Sequence, residues 1–279
     1  MSLAACVEKL PCPDCGSSDS LQSYLNKNEA LGMEWYTSFC HGECWMQKGD
    51  PYDGTEGPKV HVKSESERRR EAEDILSCTR FTPKKAFRGI PRTQFLQWGL
   101  RILLSEFDGK TPYAIGFPFS DYGELSGWKA AVIKTKDYFS IGTTTNVDLW
   151  GLVRAFRIGG DTLWITEGEY DAIALDYCLT LTGDQAKYPV VSLTHGGGSL
   201  GLNFEQVKDR IDRFKNIVLV LDDDKVGDNA VSTALVDWSD EFNIYFVSKP
   251  IGCKDANDAV INGQAQLMGE MAHNFKELP

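Results

Sequence analysis

The chain has 279 residues, 29 Lys and Arg against 40 Asp and Glu, a net charge of −11, and 42% hydrophobic residues. These are values of a folded chain of one large or two smaller domains, and they exclude wholesale disorder and collagen-like repeats. The negative balance argues against a whole-surface polyanion binder, and no apolar run approaches the roughly 18 residues of a membrane span.

The first ten residues carry Glu8 and are too short for a secretory signal, so a cytoplasmic chain without membrane association is expected. Eight cysteines are present; five fall in the first 44 residues, and four of these, Cys12, Cys15, Cys40 and Cys44, form two close pairs. Paired cysteines in a cytosolic chain read as a metal site rather than a disulfide framework. Cys12-Pro13-Asp14-Cys15 is a strong knuckle, and Cys40-His41-Gly42-Glu43-Cys44 follows after 24 intervening residues. Four thiolates at this spacing suit tetrahedral Zn²⁺. The second knuckle has three intervening residues instead of two, so His41 is an alternative to Cys40, with Cys40 favoured. Residues 1–55 are therefore expected to form a small zinc ribbon. Trp35, Tyr36, Phe39 and Trp45 are its core or stack on single-stranded bases.

Residues 56–75 are polar and read as a linker or the start of a solvated helix. Residues 76–158 are rich in aromatics and turns, which predicts a mixed α+β subdomain with strands near Tyr113–Phe119 and Gly127–Ile133. Positive charge concentrates here: residues 59–101 hold eleven Lys and Arg against five acids. The subdomain adds Lys129, Lys134, Lys136, Arg154 and Arg157. Such a stretch is either a solvated face or a track for phosphates.

From residue 159 to 279 short apolar runs alternate with longer helical stretches. Strands are predicted at 163–166, 190–193, 217–221 and 244–248, with helices over 169–181, 201–214 and 228–238 and helical pieces to the end. Unbroken apolar strands between helices predict a parallel sheet covered on both faces, an α/β core. The first strand ends in Glu167-Gly168-Glu169-Tyr170-Asp171 and the third in Asp222-Asp223-Asp224. Ligands of open α/β sheets bind at the carboxyl ends of strands, so these acids share one rim. Strand alternation sets Asp222 and Asp224 on one side. Carboxylates crowded this way need a cancelling charge, which a divalent cation supplies together with a bridge to substrate phosphates.

The joint pattern resembles the Toprim domain of DnaG-type primases, phage primase–helicases and topoisomerases. Lys187-Tyr188-Pro189, His195-Gly196-Gly197-Gly198, Cys253-Lys254-Asp255-Ala256-Asn257 and the Gly127–Lys136 segment are similar to the primase half of phage primase–helicases. The resemblance implies an RNA-polymerising core, with residues 76–158 its basic subdomain and 159–279 its Toprim part. It implies catalytic acids Glu167, Asp171, Asp222 and Asp224, of which Glu167, Asp222 and Asp224 hold Mg²⁺ or Mn²⁺, and supporting acids Glu169 and Asp255. Lys129, Lys134, Lys136, Arg88, His195 and Lys254 are the corresponding nucleotide- or template-binding candidates. The implied activity is DNA-dependent RNA primer synthesis on single-stranded DNA from ribonucleoside triphosphates, in a host bacterial cytoplasm if the chain is phage-encoded. No Gly-x-x-x-x-Gly-Lys-[Ser/Thr] loop is present, because Leu104 stands where the motif around Gly109-Lys110-Thr111 needs glycine. A separate helicase and DNA polymerase are therefore the expected partners. The alternatives are a non-catalytic zinc/Toprim recombination mediator and a Toprim nuclease.

Overall fold

The structure, a computed structural model, describes residues 6–28, 33–41, 46–52, 63–78, 85–105, 107–135, 137–185, 187–194, 208–222 and 238–275. They form two compact units that divide between Lys63 and Ser64.

The first unit is an antiparallel meander of β1 (Cys6–Leu10), β2 (Leu21–Asn28), β3 (Met33–Cys40) and β4 (Met46–Gly49). The β1–β2 connection folds back on itself through Gly16 N to Cys12 O (3.0 Å) and Cys12 N to Ser17 O (2.8 Å). Gly16 takes a φ of 71°, which a glycine adopts without steric cost. The buried cluster of this unit consists of Cys12, Leu21 and Cys40, with Leu10 and Cys15 against it. A cluster of this kind among the described residues, built largely of cysteines, is what small metal-dependent domains present.

The second unit opens with α1 (Glu65–Asp74), started by a capping box between Ser64 and Glu67. The polar composition suggested a linker or the start of a solvated helix; the helix is there and lies on a sheet, with Ala72 fully buried and its carbonyl accepting from Trp128 Nε1 at 2.7 Å. The α1 sequence reads as solvated because only this narrow stripe is covered. After α2 (Arg92–Gln97) comes a second antiparallel meander of β5 (Arg101–Leu104), β6 (Pro112–Asp121), β7 (Glu124–Val132) and β8 (Tyr138–Gly142). It contains both strands expected in this region.

The α/β core follows: α3 (Leu152–Ile158), β9 (Thr162–Thr166), α4 (Glu169–Thr182), β10 (Val190–Ser192), β11 (Asn216–Val220), β12 (Asn243–Phe246), α5 (Ala256–Ile261) and α6 (Ala265–His273). The four strands are parallel in the order β10-β9-β11-β12. The expected helices over 201–214 and 228–238 fall mostly outside the described residues; 208–211 is helical. Alternation along the strands sorts the core into two layers. Trp164, Val190, Val218 and Val220 pack with α4 and α6 residues such as Ile173, Leu175 and Met268. Leu163, Ile165, Val191, Ile217 and Leu219 pack on the other face with Leu152, Ile211 and Phe214. The first layer is continuous with the antiparallel sheet through Phe95, Trp98, Phe117 and Trp150.

Candidate active site and metal-binding clusters

In the first unit, ligand atoms of Cys12, Cys15 and Cys40 lie within 4.8 Å of one another, and Cys15 Sγ to Cys40 Sγ is 3.7 Å. Thiolates about 2.3 Å from a tetrahedral ion stand about 3.8 Å apart, so the donor set fits Zn²⁺. The Ser17 backbone N–H, followed by the Ser20 hydroxyl and the neighbouring thiols, lowers the Cys15 thiol to about 6. A lowered pKa favours the thiolate a metal requires. His41 does not join the sulfurs: its Nε2 lies 3.1 Å from the Tyr24 hydroxyl and its ring packs on Phe39. Cys44 and Trp45 lie outside the described residues. Tyr36 packs edge-on against Tyr52 at 4.9 Å, and Trp35 and Phe39 are half-buried.

In the second unit, the strand order reverses between β9 and β11: the chain leaves β9 for β10 on one side and returns to β11 on the other. The crevice at the carboxyl ends of two such strands is the binding position of open α/β sheets. Thr166 and Val220 are register partners, so Glu167 and Asp222 follow on the same rim. Asp222 continues the alternation of Val218 and Val220 toward α4, and Asp171 stands in the first turn of α4. Asp255 arrives from the segment before α5, where its Oδ1 accepts from Asp258 N at 2.7 Å as helix cap. Asp171, Asp222 and Asp255 thus offer oxygens within 4.8 Å of one another.

Burial, then the Asp255 and Asp222 charges, hold the Asp171 carboxyl well above the ordinary carboxylate range, against an opposing bond from Asn257 N at 3.2 Å. Gly168 permits this crowding, since a Cβ there would lie 2.8 Å from Asp171 Oδ2. Glu167 is not in this trio; the alternation that turns Trp164 toward α4 turns Glu167 to the opposite side. Its Oε2 is buried without a hydrogen-bond partner among the described residues. Such an atom calls for a missing donor or cation. Together with an all-carboxylate donor set, this fits Mg²⁺ or Mn²⁺.

Among the described residues, Lys129 and Lys254 form ion pairs with acids at the rim, and the Lys249 ammonium donates to the Leu221 carbonyl there. Lys129 Nζ on β7 lies 2.8 Å from Glu169 Oε1, and Lys254 Nζ lies 2.6 Å from Asp222 Oδ2. Beside them is a cleft of about 280 Å³, lined by Arg88, Tyr138, Tyr170 and residues of the β7–β8 connection. Arg88 and Gly89 both have positive φ (51° and 76°), forming a two-residue turn closed by Phe87 and Ile90. A non-glycine residue held in that region points to a constrained position. The turn sets the Arg88 guanidinium 4.3 Å from the Tyr170 ring centroid, and Asn257 Nδ2 donates to the Arg88 carbonyl at 2.9 Å. Lys134 is exposed just after β7. Asp224, Lys136 and His195 lie outside the described residues.

Not all the positive charge lines this rim. Arg154 is ion-paired with Asp176 at 2.6 Å, donates to Tyr188 O at 2.8 Å and stacks 4.3 Å over Trp98. With Asp176 fully buried, Arg154 is a packing element rather than part of a phosphate track.

Residues 164–260 match the family described as Toprim-like. The DNA helicase/primase of Enterobacteria phage T3 is 32% identical over 116 residues. That match covers 42% of this chain and 19% of the relative, so the chain spans about a fifth of the curated relative's length. Among solved structures, the primase fragment of the bacteriophage T7 primase-helicase has a TM-score of 0.56 at 22% identity, covering 96% of this chain and 99% of that one. The chain has the fold of a phage-type primase, with a Toprim-like domain. The T7 primase domains solved with the lagging-strand DNA polymerase and an RNA/DNA hybrid give a TM-score of 0.55 at 26% identity, over 68% of this chain and 91% of that one. The zinc-binding and RNA polymerase domains of the Aquifex aeolicus primase give 0.56 at 14% identity, over 90% and 78%.

The Toprim-like stretch contains Glu167, Asp171, Asp222 and Asp255. Sequence reasoning ranked Asp255 only as a supporting acid and did not single out Tyr138, Tyr170 or Asn257 for function. A signal for Asn257 existed in the Lys254-Asp255-Ala256-Asn257 string. The two tyrosines carry none, because they come together only as the lining of one cleft in the folded chain. Among the described residues, no helix is long and apolar enough to cross a membrane.

Proposed function

We propose that the chain is a DNA-dependent RNA primase that joins ribonucleotides on a single-stranded DNA template. The observation that carries this reading is the trio Asp171, Asp222 and Asp255 at the strand-order reversal, flanked by Lys129 and the Arg88 cleft. A primase fold and primase relatives support it.

In this reading Asp171, Asp222 and Asp255, with Glu167 and Asp224, hold Mg²⁺ or Mn²⁺. Such an ion lowers the pKa of a 3′-hydroxyl and neutralises charge on the transferring phosphates. Glu167 Oε2 accepts the hydroxyl proton, consistent with its lack of a hydrogen-bond partner among the described residues. Lys129, fixed in direction by Glu169, and the exposed Lys134 contact the triphosphate. Arg88 and Tyr138 border the cleft that takes sugar and base. In the first unit Cys12, Cys15, Cys40 and Cys44 hold Zn²⁺, and the ribbon engages the template strand. A DNA polymerase and a replicative helicase are proposed partners on the same likeness.

The test is incubation of the purified chain with single-stranded templates of varied sequence, labelled ribonucleoside triphosphates and Mg²⁺ or Mn²⁺. Short oligoribonucleotides that vanish with Asp222→Asn are expected. Template degradation would instead indicate a nuclease, and binding without turnover on every template would sink the reading.

A further inference from the structure

We propose that the Lys254 ammonium is a built-in counter-cation of the carboxylate trio: it holds Asp222 while no divalent ion is bound and yields that place when one binds, moving onto the substrate's phosphates. This rests on the metal reading of the trio given above.

Three carboxylates within 4.8 Å of one another are not stable side by side without positive charge. Among the described residues, the cation ion-paired with the trio is Lys254, 2.6 Å from Asp222 Oδ2. The pair is lopsided: the Lys254 side chain is 57% exposed and that of Asp222 only 14%. The carboxylate is therefore fixed on the rim, while the lysine reaches it from solvent on a flexible stem. The Lys254 backbone N–H donates to Asp258 Oδ2 at 3.3 Å, and its neighbour Asp255 caps α5. The segment thus stays anchored while the ammonium swings. One short stretch presents both a metal ligand, Asp255, and that metal's competitor.

Lys129 differs. Its partner Glu169 is only 4% exposed and lies outside the trio, so that ion pair does not compete for the same oxygens. A dication outcompetes a single ammonium on clustered carboxylate oxygens. A Lys–Asp contact that solvent screens is weak enough to be exchanged. The displaced ammonium stays tethered beside the oxygens where a metal-bound triphosphate would lie, an environment of opposite sign.

The experiment is a Mn²⁺ titration of the zinc-loaded full chain, with free Mn²⁺ read by electron paramagnetic resonance and no turnover involved. Lys254→Gln is expected to bind Mn²⁺ about two- to fivefold tighter, the range that a partly exposed ion pair represents. Lys254→Arg should match the native chain. Lys215→Gln, the same charge change at the exposed amino end of β11, should leave affinity unchanged. Asp222→Asn should abolish the binding and so identify the site.

With Mn²⁺ saturating, calorimetry should show weaker binding of a ribonucleoside triphosphate to Lys254→Gln than to the native chain. Without added Mn²⁺ that variant should melt lower, and its Mn²⁺-induced rise in Tm should be larger. Unchanged or weaker Mn²⁺ binding by Lys254→Gln would overturn the proposal, and equal triphosphate affinity would overturn the transfer to phosphate. Primer synthesis that persists while Lys254→Gln leaves Mn²⁺ affinity unmoved defeats this inference alone. Tighter Mn²⁺ binding in a chain that makes no primers on any template defeats the polymerase reading alone.

Discussion

Lys129 and Glu169 meet 2.8 Å apart between β7 and the first turn of α4, with the glutamate side chain 4% exposed and the lysine 24%. Removing the lysine leaves a buried carboxylate without its countercharge. Lys129→Met should therefore cost about 3 kcal/mol, the lower end of the range for a broken buried pair, as well as primer synthesis. The double variant Lys129→Met/Glu169→Gln should recover stability in urea denaturation and remain inactive. Recovery of both would mean that the lysine only balances charge.

Asp171 makes stability depend on pH in a definite direction. Its carboxyl is held above the ordinary range by burial and by Asp255 and Asp222, so folding favours the protonated form. That contribution is complete below the ordinary carboxylate pKa of about 3.9 and is lost as pH rises through the higher folded value. With Zn²⁺ retained and no Mg²⁺ or Mn²⁺ added, the Tm of the native chain should fall over that interval, and that of Asp171→Asn should fall less. Thermal melts across pH check this, and a parallel slope in the two proteins would refute it.

Gly168 is a steric condition for the site rather than a conformational one. Its φ of −122° suits any residue, yet a Cβ would stand 2.8 Å from Asp171 Oδ2. Gly168→Ala should keep the fold, move Asp171 and weaken Mn²⁺ binding by roughly tenfold, about 1.4 kcal/mol of lost coordination. Native-like Mn²⁺ affinity in that variant would show that Asp171 contributes little.

Arg154 and Asp176 belong to stability. Either Arg154→Leu or Asp176→Asn leaves a buried polar group unmatched, and about 3–5 kcal/mol should be lost in denaturant unfolding. The salt dependence of template binding should stay as in the native chain, because this arginine makes no phosphate contact. A shallower salt slope for Arg154→Leu would return it to the basic track.

The thiol cluster gives a ligand test that needs no activity. Cys40→Ser should lose Zn²⁺ measured by metal analysis and unfold the first unit, whereas His41→Ala should retain the metal. The opposite result would make His41 the third ligand and displace Cys40.

The rim was legible because β9 and β11 are unbroken apolar runs, and acids placed directly after such runs can only lie at strand ends. Periodicity put Asp222 and Asp224 on one side of the strand; Asp222 continues the side of Val218 and Val220, and Asp224 lies outside the described residues. Periodicity could not place Asp255, which follows no strand and reaches the trio only because its segment turns into α5. Glu167 and Asp222 look equivalent in the sequence, yet they follow their strands with opposite parity, and only Asp222 stands in the trio. The Lys and Arg excess was visible as a count but not as a surface. Arg154 and Arg88 have the same composition-level meaning, and one is buried in an ion pair while the other covers a tyrosine at a cleft. A solvated helix start was legible at α1, but its packing on the sheet was not, since the buried Ala72 and the carbonyl bond to Trp128 leave no stripe in so charged a sequence.

Asp255 serves two masters, with Oδ1 engaged in capping α5 and the same carboxylate standing in the trio. Replacing it with alanine therefore confounds a folding lesion with a chemical one, and a null phenotype there carries no mechanistic information. Asparagine keeps the cap and drops the charge. At this position the conservative-looking substitution is the separation-of-function allele, and a mutational scan restricted to alanine would misassign the residue.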